Sequence, residues 1–102
     1  MAFIKQRQIW EVSNAQETAR REVVVVSNHE TSRNARWHQV IPLDEVNSGR
    51  KHPFDVRVRG KNVAIDLITT LPEQFFITQK ESITSSEFEE IRTALFQLFS
   101  PV

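Results

Sequence analysis

Two arginines, Arg20 and Arg21, stand directly ahead of the valine run Val23–Val26 in the string RREVVVVSN. A guanidinium is a planar fork of donors that stays charged and matches the oxygens of a phosphate. Four β-branched residues favour a stiff, extended mount, so a fork anchored to them would be held in a fixed direction. Asp44 closes a second string, Val40-Ile41-Pro42-Leu43-Asp44. A carboxylate at a strand end can act as a base, or accept a hydrogen bond from a ribose hydroxyl. Either arginine could equally end its strand in water, and Asp44 could satisfy backbone amides in a turn. Arg50-Lys51-His52, and Arg57 with Arg59 and Lys61, add basic groups that could follow a nucleic-acid backbone or simply face solvent.

Other chemistries are poorly supplied. The chain has no cysteine, which removes thiolate zinc sites, disulfides and thiol catalysis together. Its two glycines are too few for a Gly-rich nucleotide loop, and neither HExxH nor CxxC occurs. His29, His38 and His52 have no metal-ligand spacing, so neither a metal nor a cofactor is expected. Formal net charge is zero, but it is unevenly spread: residues 1–61 hold eleven Lys/Arg against seven Asp/Glu, a balance of +4. Residues 62–102 hold two against six, a balance of −4. The asymmetry suits a surface that meets an anion, and chance on a solvated surface would produce it too.

The elements that must position these groups are short. Gln8–Val12, Glu22–Ser27 and Arg36–Leu43 read as strands, the last with Trp37, Ile41 and Leu43 on one face. Phe54–Arg59 alternates, with Phe54, Val56 and Val58 inward and Asp55, Arg57 and Arg59 outward. Gly60-Lys61-Asn62 reads as the turn of a hairpin whose second arm is Val63–Leu67, and Gln74–Thr78 as a further short strand or turn. Near the end the period changes: Ser86 and Glu89 fit a capping box, followed by an apolar stripe at Phe88, Ile91, Leu95 and Leu98 and a stop at Pro101. Loops are expected at Asn14–Arg20, His29–Ala35 and Glu45–His52. At 102 residues, one domain spanning 1–102 is expected, mainly β with a C-terminal helix: a small SH3-like β-barrel of about five to seven strands. The longest apolar run, Val23–Val26, is far too short to span a membrane, and no signal-peptide pattern is present, so a cytoplasmic protein is expected.

These strings carry a family likeness. Ile4-Lys5-Gln6-Arg7-Gln8-Ile9-Trp10 resembles the opening of the MazF/PemK (Kid) toxins of type II toxin–antitoxin systems, an Ile-Lys-Arg-Gly-Asp-Ile-Trp type of string. Arg21–Asn28 resembles, without a gap, that family's Arg-Pro-Val-Leu-Val-Val-Ser-Asn. Pro42-Leu43-Asp44 falls on its Pro-Ile-Thr. Three positions depart: Gln16 stands for a loop glutamate, Glu22 for the proline after the arginine, and Asp44 for a threonine or serine. The gyrase-poisoning CcdB toxins share the barrel, and Val40–Leu43 and Thr69-Thr70 resemble them, but Phe99-Ser100-Pro101-Val102 does not match their Trp-Gly-Ile tail.

The first resemblance implies a metal-independent, sequence-selective endoribonuclease acting on single-stranded mRNA, a homodimer restrained by a cognate antitoxin. It implies catalytic roles for Arg21 and Asp44, with Gln16, Glu17, Arg20, His29, Arg50 and Lys51 touching RNA. His29 is a second candidate for the base. Two alternatives remain at this point: a gyrase-directed toxin, and a catalytically silent barrel that binds RNA or protein.

Overall fold

The computed structural model describes residues 4–13, 20–28, 36–45 and 55–99. Seven strands are found among them: β1 (Gln8–Ser13), β2 (Arg20–Val25), β3 (Trp37–Glu45), β4 (Val56–Val58), β5 (Lys61–Val63), β6 (Thr69–Pro72) and β7 (Phe76–Ser82). One helix, α1 (Ser85–Leu98), follows. The strands are hydrogen-bonded in the order β4-β5-β3-β2-β1-β7, and β6 pairs with the first part of β3. All pairings are antiparallel. The fold is therefore mainly β and barrel-like with a C-terminal helix, as expected. No described helix is long and apolar enough to cross a membrane.

The valine run explains how the sheet is covered. Val23, Val24 and Val25 are all buried, although successive side chains of a strand point to opposite faces. Val24 joins one core with Ile9, Ile41, Leu43, Val63 and the helix residues Phe88, Ile91 and Ala94. Val23 and Val25 join the other with Ile4, Trp10, Val12 and Val40, which Leu71 and Phe76 cover. A strand buried on both faces reads as a continuous apolar run rather than an alternating one.

Helix α1 begins two residues earlier than the capping signal at Ser86 and Glu89 suggested. Thr84 is the N-cap: its Oγ1 accepts from the Glu87 amide at 3.1 Å, and the Thr84 amide donates to Glu87 Oε1 at 2.8 Å. Ile83 and Phe88 flank that box in the same buried core, the apolar staple that a box at Ser86 would lack. The hairpin also shifts. Its turn is Arg59-Gly60, both with positive φ (52° and 78°), and Lys61 and Asn62 belong to β5 rather than to the turn. Two left-handed residues in succession match the twist of a tight hairpin. The expected arm Val63–Leu67 stops at Val63; Ile65–Leu67 form a 3-10 turn that buries Ile65 near the helix.

Arg59 also closes the barrel where the backbone leaves it open. The ladder ends at β4 on one side and β7 on the other. Arg59 Nη1 lies 3.4 Å from Glu81 on β7, while Nε and Nη2 grip the Glu87 carboxylate at 3.2–3.3 Å. One side chain thus ties the hairpin to β7 and to the helix start. Trp37, expected to share the buried face of Ile41 and Leu43, is instead 56% exposed, because the helix-side core does not extend to that end of β3, where the opposite face buries His38 against Phe76.

Candidate functional site

The period-2 rule splits the arginine pair. Arg21 shares a face with Val23 and Val25, and Arg20 and Glu22 share the other with Val24. Across the sheet, Val23 pairs with Pro42 and Val24 with Ile41, so the same register carried two residues on sets Arg21 opposite Asp44. The side chains meet: Arg21 Nη2 lies 2.5 Å from Asp44 Oδ1. The arginine remains 47% exposed and the aspartate 19%. A charged donor and acceptor this close form a strong hydrogen-bonded ion pair. The arginine keeps further N–H donors for an incoming anion.

The other face holds a second charged group. Glu11 and Glu22 are direct cross-strand partners, a juxtaposition of like charges that destabilises unless each is countered. Each is. Arg20 Nη1 lies 3.2 Å and Lys80 Nζ 3.3 Å from Glu11, while Lys61 Nζ bonds Glu22. The hydrogen bond from Lys80 chiefly holds the Glu11 carboxyl below the usual glutamate range; burial opposes this, and the Arg20 bond reinforces it. An open depression of about 440 Å³ is lined by Glu11, Arg20, Arg21, Glu22, Leu43, Asp44, Lys61 and Lys80. Among the described residues, four cations and three carboxylates line one hollow at the end of the sheet.

The two residues singled out as catalytic, Arg21 and Asp44, are thus brought together, although 23 positions separate them in the chain. Arg20 lines the same depression but projects from the opposite face and is bonded to Glu11. Gln16, Glu17, His29, Arg50 and Lys51 lie outside the described residues. Sequence reasoning gave no role here to Glu11, Glu22 or Lys80, and placed Lys61 only in a basic group. The signal for Glu11 and Glu22 was present: each is a charged residue placed within or against a run of β-formers. No group of His, Cys, Asp or Glu among the described residues could hold a metal ion.

Residues 5–99 match the family model of the PemK-like, MazF-like toxins of type II toxin–antitoxin systems. No curated protein matches the chain. Among solved structures, an endoribonuclease in complex with its cognate antitoxin, from a mycobacterial species, superposes with a TM-score of 0.81. It shares 20% identity, with 98% of this chain and 99% of that one covered. A MazE–MazF structure from Deinococcus radiodurans also reaches 0.81, at 16% identity over all of both chains. The Mycobacterium tuberculosis toxin MazF-mt6 gives 0.74 at 16% identity, covering 91% of this chain and 96% of that one. At these identities the superpositions establish the shared fold.

Proposed function

The chain belongs to the PemK-like, MazF-like toxins of type II toxin–antitoxin systems, and from that membership we propose that it is an endoribonuclease toxin which cleaves single-stranded mRNA sequence-selectively and without a metal. The observation that carries the proposal is the Arg21–Asp44 pair, held at 2.5 Å by adjacent strand ends and open to solvent on the arginine side.

RNA carries its own nucleophile, so the protein needs only to deprotonate and aim it. The Asp44 carboxylate takes the proton of the 2′-hydroxyl. That oxygen forms a bond to the adjacent phosphorus, and the bond to the 5′-oxygen breaks, leaving its electron pair on that oxygen, which takes a proton from water. The products are a 2′,3′-cyclic phosphate and a 5′-hydroxyl. Arg21 meets the charge that develops on the phosphoryl oxygens, an effect worth about 3–4 kcal/mol for one well-placed donor. Its bond to Asp44 orients the base. Selectivity among bases is assigned to side chains around the depression.

The cognate antitoxin is the proposed restraining partner, and a homodimer the proposed assembly; two relatives are solved with an antitoxin, as an endoribonuclease with its cognate antitoxin and as MazE–MazF. A silent RNA-binding barrel is the second reading. What favours it is that Asp44 brings a negative charge beside the arginine that must meet a phosphate. Incubation with varied single-stranded RNAs in EDTA separates the two. Cleavage supports the enzyme; binding without cleavage, together with normal growth on expression, leaves the silent barrel.

A further inference from the structure

We infer that the outer face of the β4–β5 hairpin is a second RNA-binding station, in which Arg57 holds a phosphate of the same single strand away from the scissile one. The inference rests on the ribonuclease reading and extends it to a part of the surface that the catalytic pair does not touch.

The sheet register places the station. Arg21 lies opposite Asp44, Asp44 pairs with Asn62, and Asn62 pairs with Arg57. Side chains paired across antiparallel strands share a face, so Arg21, Asp44, Asn62 and Arg57 form one row across four adjacent strands. The intervening residues confirm the side. Val24, Leu43, Val58 and Val63, which alternate with members of the row, all pack into the helix-side core. Asn62 is fixed within the row, its Nδ2 donating to Asp55 Oδ2 at 2.8 Å.

Three strand-to-strand steps separate Arg21 from Arg57, a distance of about 14 Å at the usual spacing. That exceeds the separation of neighbouring phosphates along a strand, so the two arginines would meet different nucleotides. Arg57 also differs from the cations around it. Arg20, Arg21, Arg59, Lys61 and Lys80 each bond a carboxylate. Arg57 is exposed and has no ion-pair partner among the described residues. An exposed arginine of this kind, in register with a phosphate-facing arginine, suits an extended polyanion.

The test is binding of RNA that cannot react, with a 2′-deoxyribose at the cleavage step, measured by fluorescence anisotropy over a range of salt. Two probes are used: one spanning only the scissile step, and one extended by several nucleotides on each side. Arg57→Ala should weaken the extended probe several-fold and lower its log–log salt slope by about 0.7, the value for one phosphate contact on a single strand. The short probe should bind the variant and the parent alike. Arg57→Lys should restore most of the salt slope. Equal effects on both probes, or none on either, would overturn the station, provided circular dichroism shows the variant folded. Binding with the Arg57 effect but without cleavage of ordinary RNA upholds the station and overturns only the ribonuclease reading. Failure of the parent protein to bind either probe overturns both.

Discussion

Replacing Arg21 with alanine separates a catalytic arginine from a structural one. The side chain is 47% exposed, and exposed ion pairs contribute only about 0–1 kcal/mol. Asp44, 19% exposed, would lose its charged partner, which adds about 1 kcal/mol for a polar group left unsatisfied. A total near 1–2 kcal/mol lowers the melting temperature by roughly 4–8 °C per kcal/mol in a domain of this size and leaves most molecules folded. Activity should fall far more. Loss of about 3–4 kcal/mol of transition-state stabilisation corresponds to a hundredfold or greater drop in rate. Val24→Ala is the counter-case. Its side chain is 1% exposed between β1, β3 and the helix, so truncation should cost about 2–3 kcal/mol while activity per folded molecule stays near the parent's. The assay is cleavage rate divided by the folded fraction from circular dichroism. Combining Arg21→Ala with Asp44→Asn should lower the rate little beyond the worse single change, because the two act as a unit. If Arg21→Ala melts the protein but spares the rate per folded molecule, the arginine is structural and the reasoning fails.

Two further outcomes test the scaffold. Thr84→Ala removes half of the capping box and should cost about 1 kcal/mol in urea unfolding, whereas Ser86→Ala should cost little; the reverse order would contradict the helix start described above. The Arg59 guanidinium, and then the Thr84 amide, hold the Glu87 carboxyl below the usual glutamate range. A carboxyl lowered on folding contributes stability that is fully present above its unfolded value and lost as pH falls through its folded value. Arg59→Ala should therefore destabilise at neutral pH and flatten the acid limb below the glutamate range, and an unchanged acid limb would contradict the clamp.

Much of this architecture was legible in the sequence, and the failures have physical causes. The valine run and the Phe88–Ile91 stripe announce their elements because burial sets their spacing. The split of Arg20 from Arg21 follows from strand period alone. The capping box was ambiguous because Thr84/Glu87 and Ser86/Glu89 both satisfy its pattern; the apolar pair Ile83 and Phe88 decides between them, and it too is in the sequence. The Arg59-Gly60 turn was not readable locally. A left-handed arginine is unfavourable on its own, and its side chain is engaged by Glu81 and Glu87, 22 and 28 residues away. Strand β6 is four residues long, with two exposed threonines and a terminal proline, so no apolar alternation marks it. The countering of Glu11 and Glu22 by Lys80 and Lys61 depends on register, which only the assembled sheet supplies.

The most direct test of the central claim compares two substrates under single-turnover conditions in EDTA: an all-ribose single strand, and the same strand with a 2′-deoxyribose immediately 5′ of the cleaved phosphate. The account predicts cleavage of the first alone, leaving a 2′,3′-cyclic phosphate and a 5′-hydroxyl. Cleavage of the deoxy strand would show that water rather than the 2′-oxygen attacks, and an intact all-ribose strand would show that the Arg21–Asp44 pair does not catalyse this reaction; either result contradicts the account.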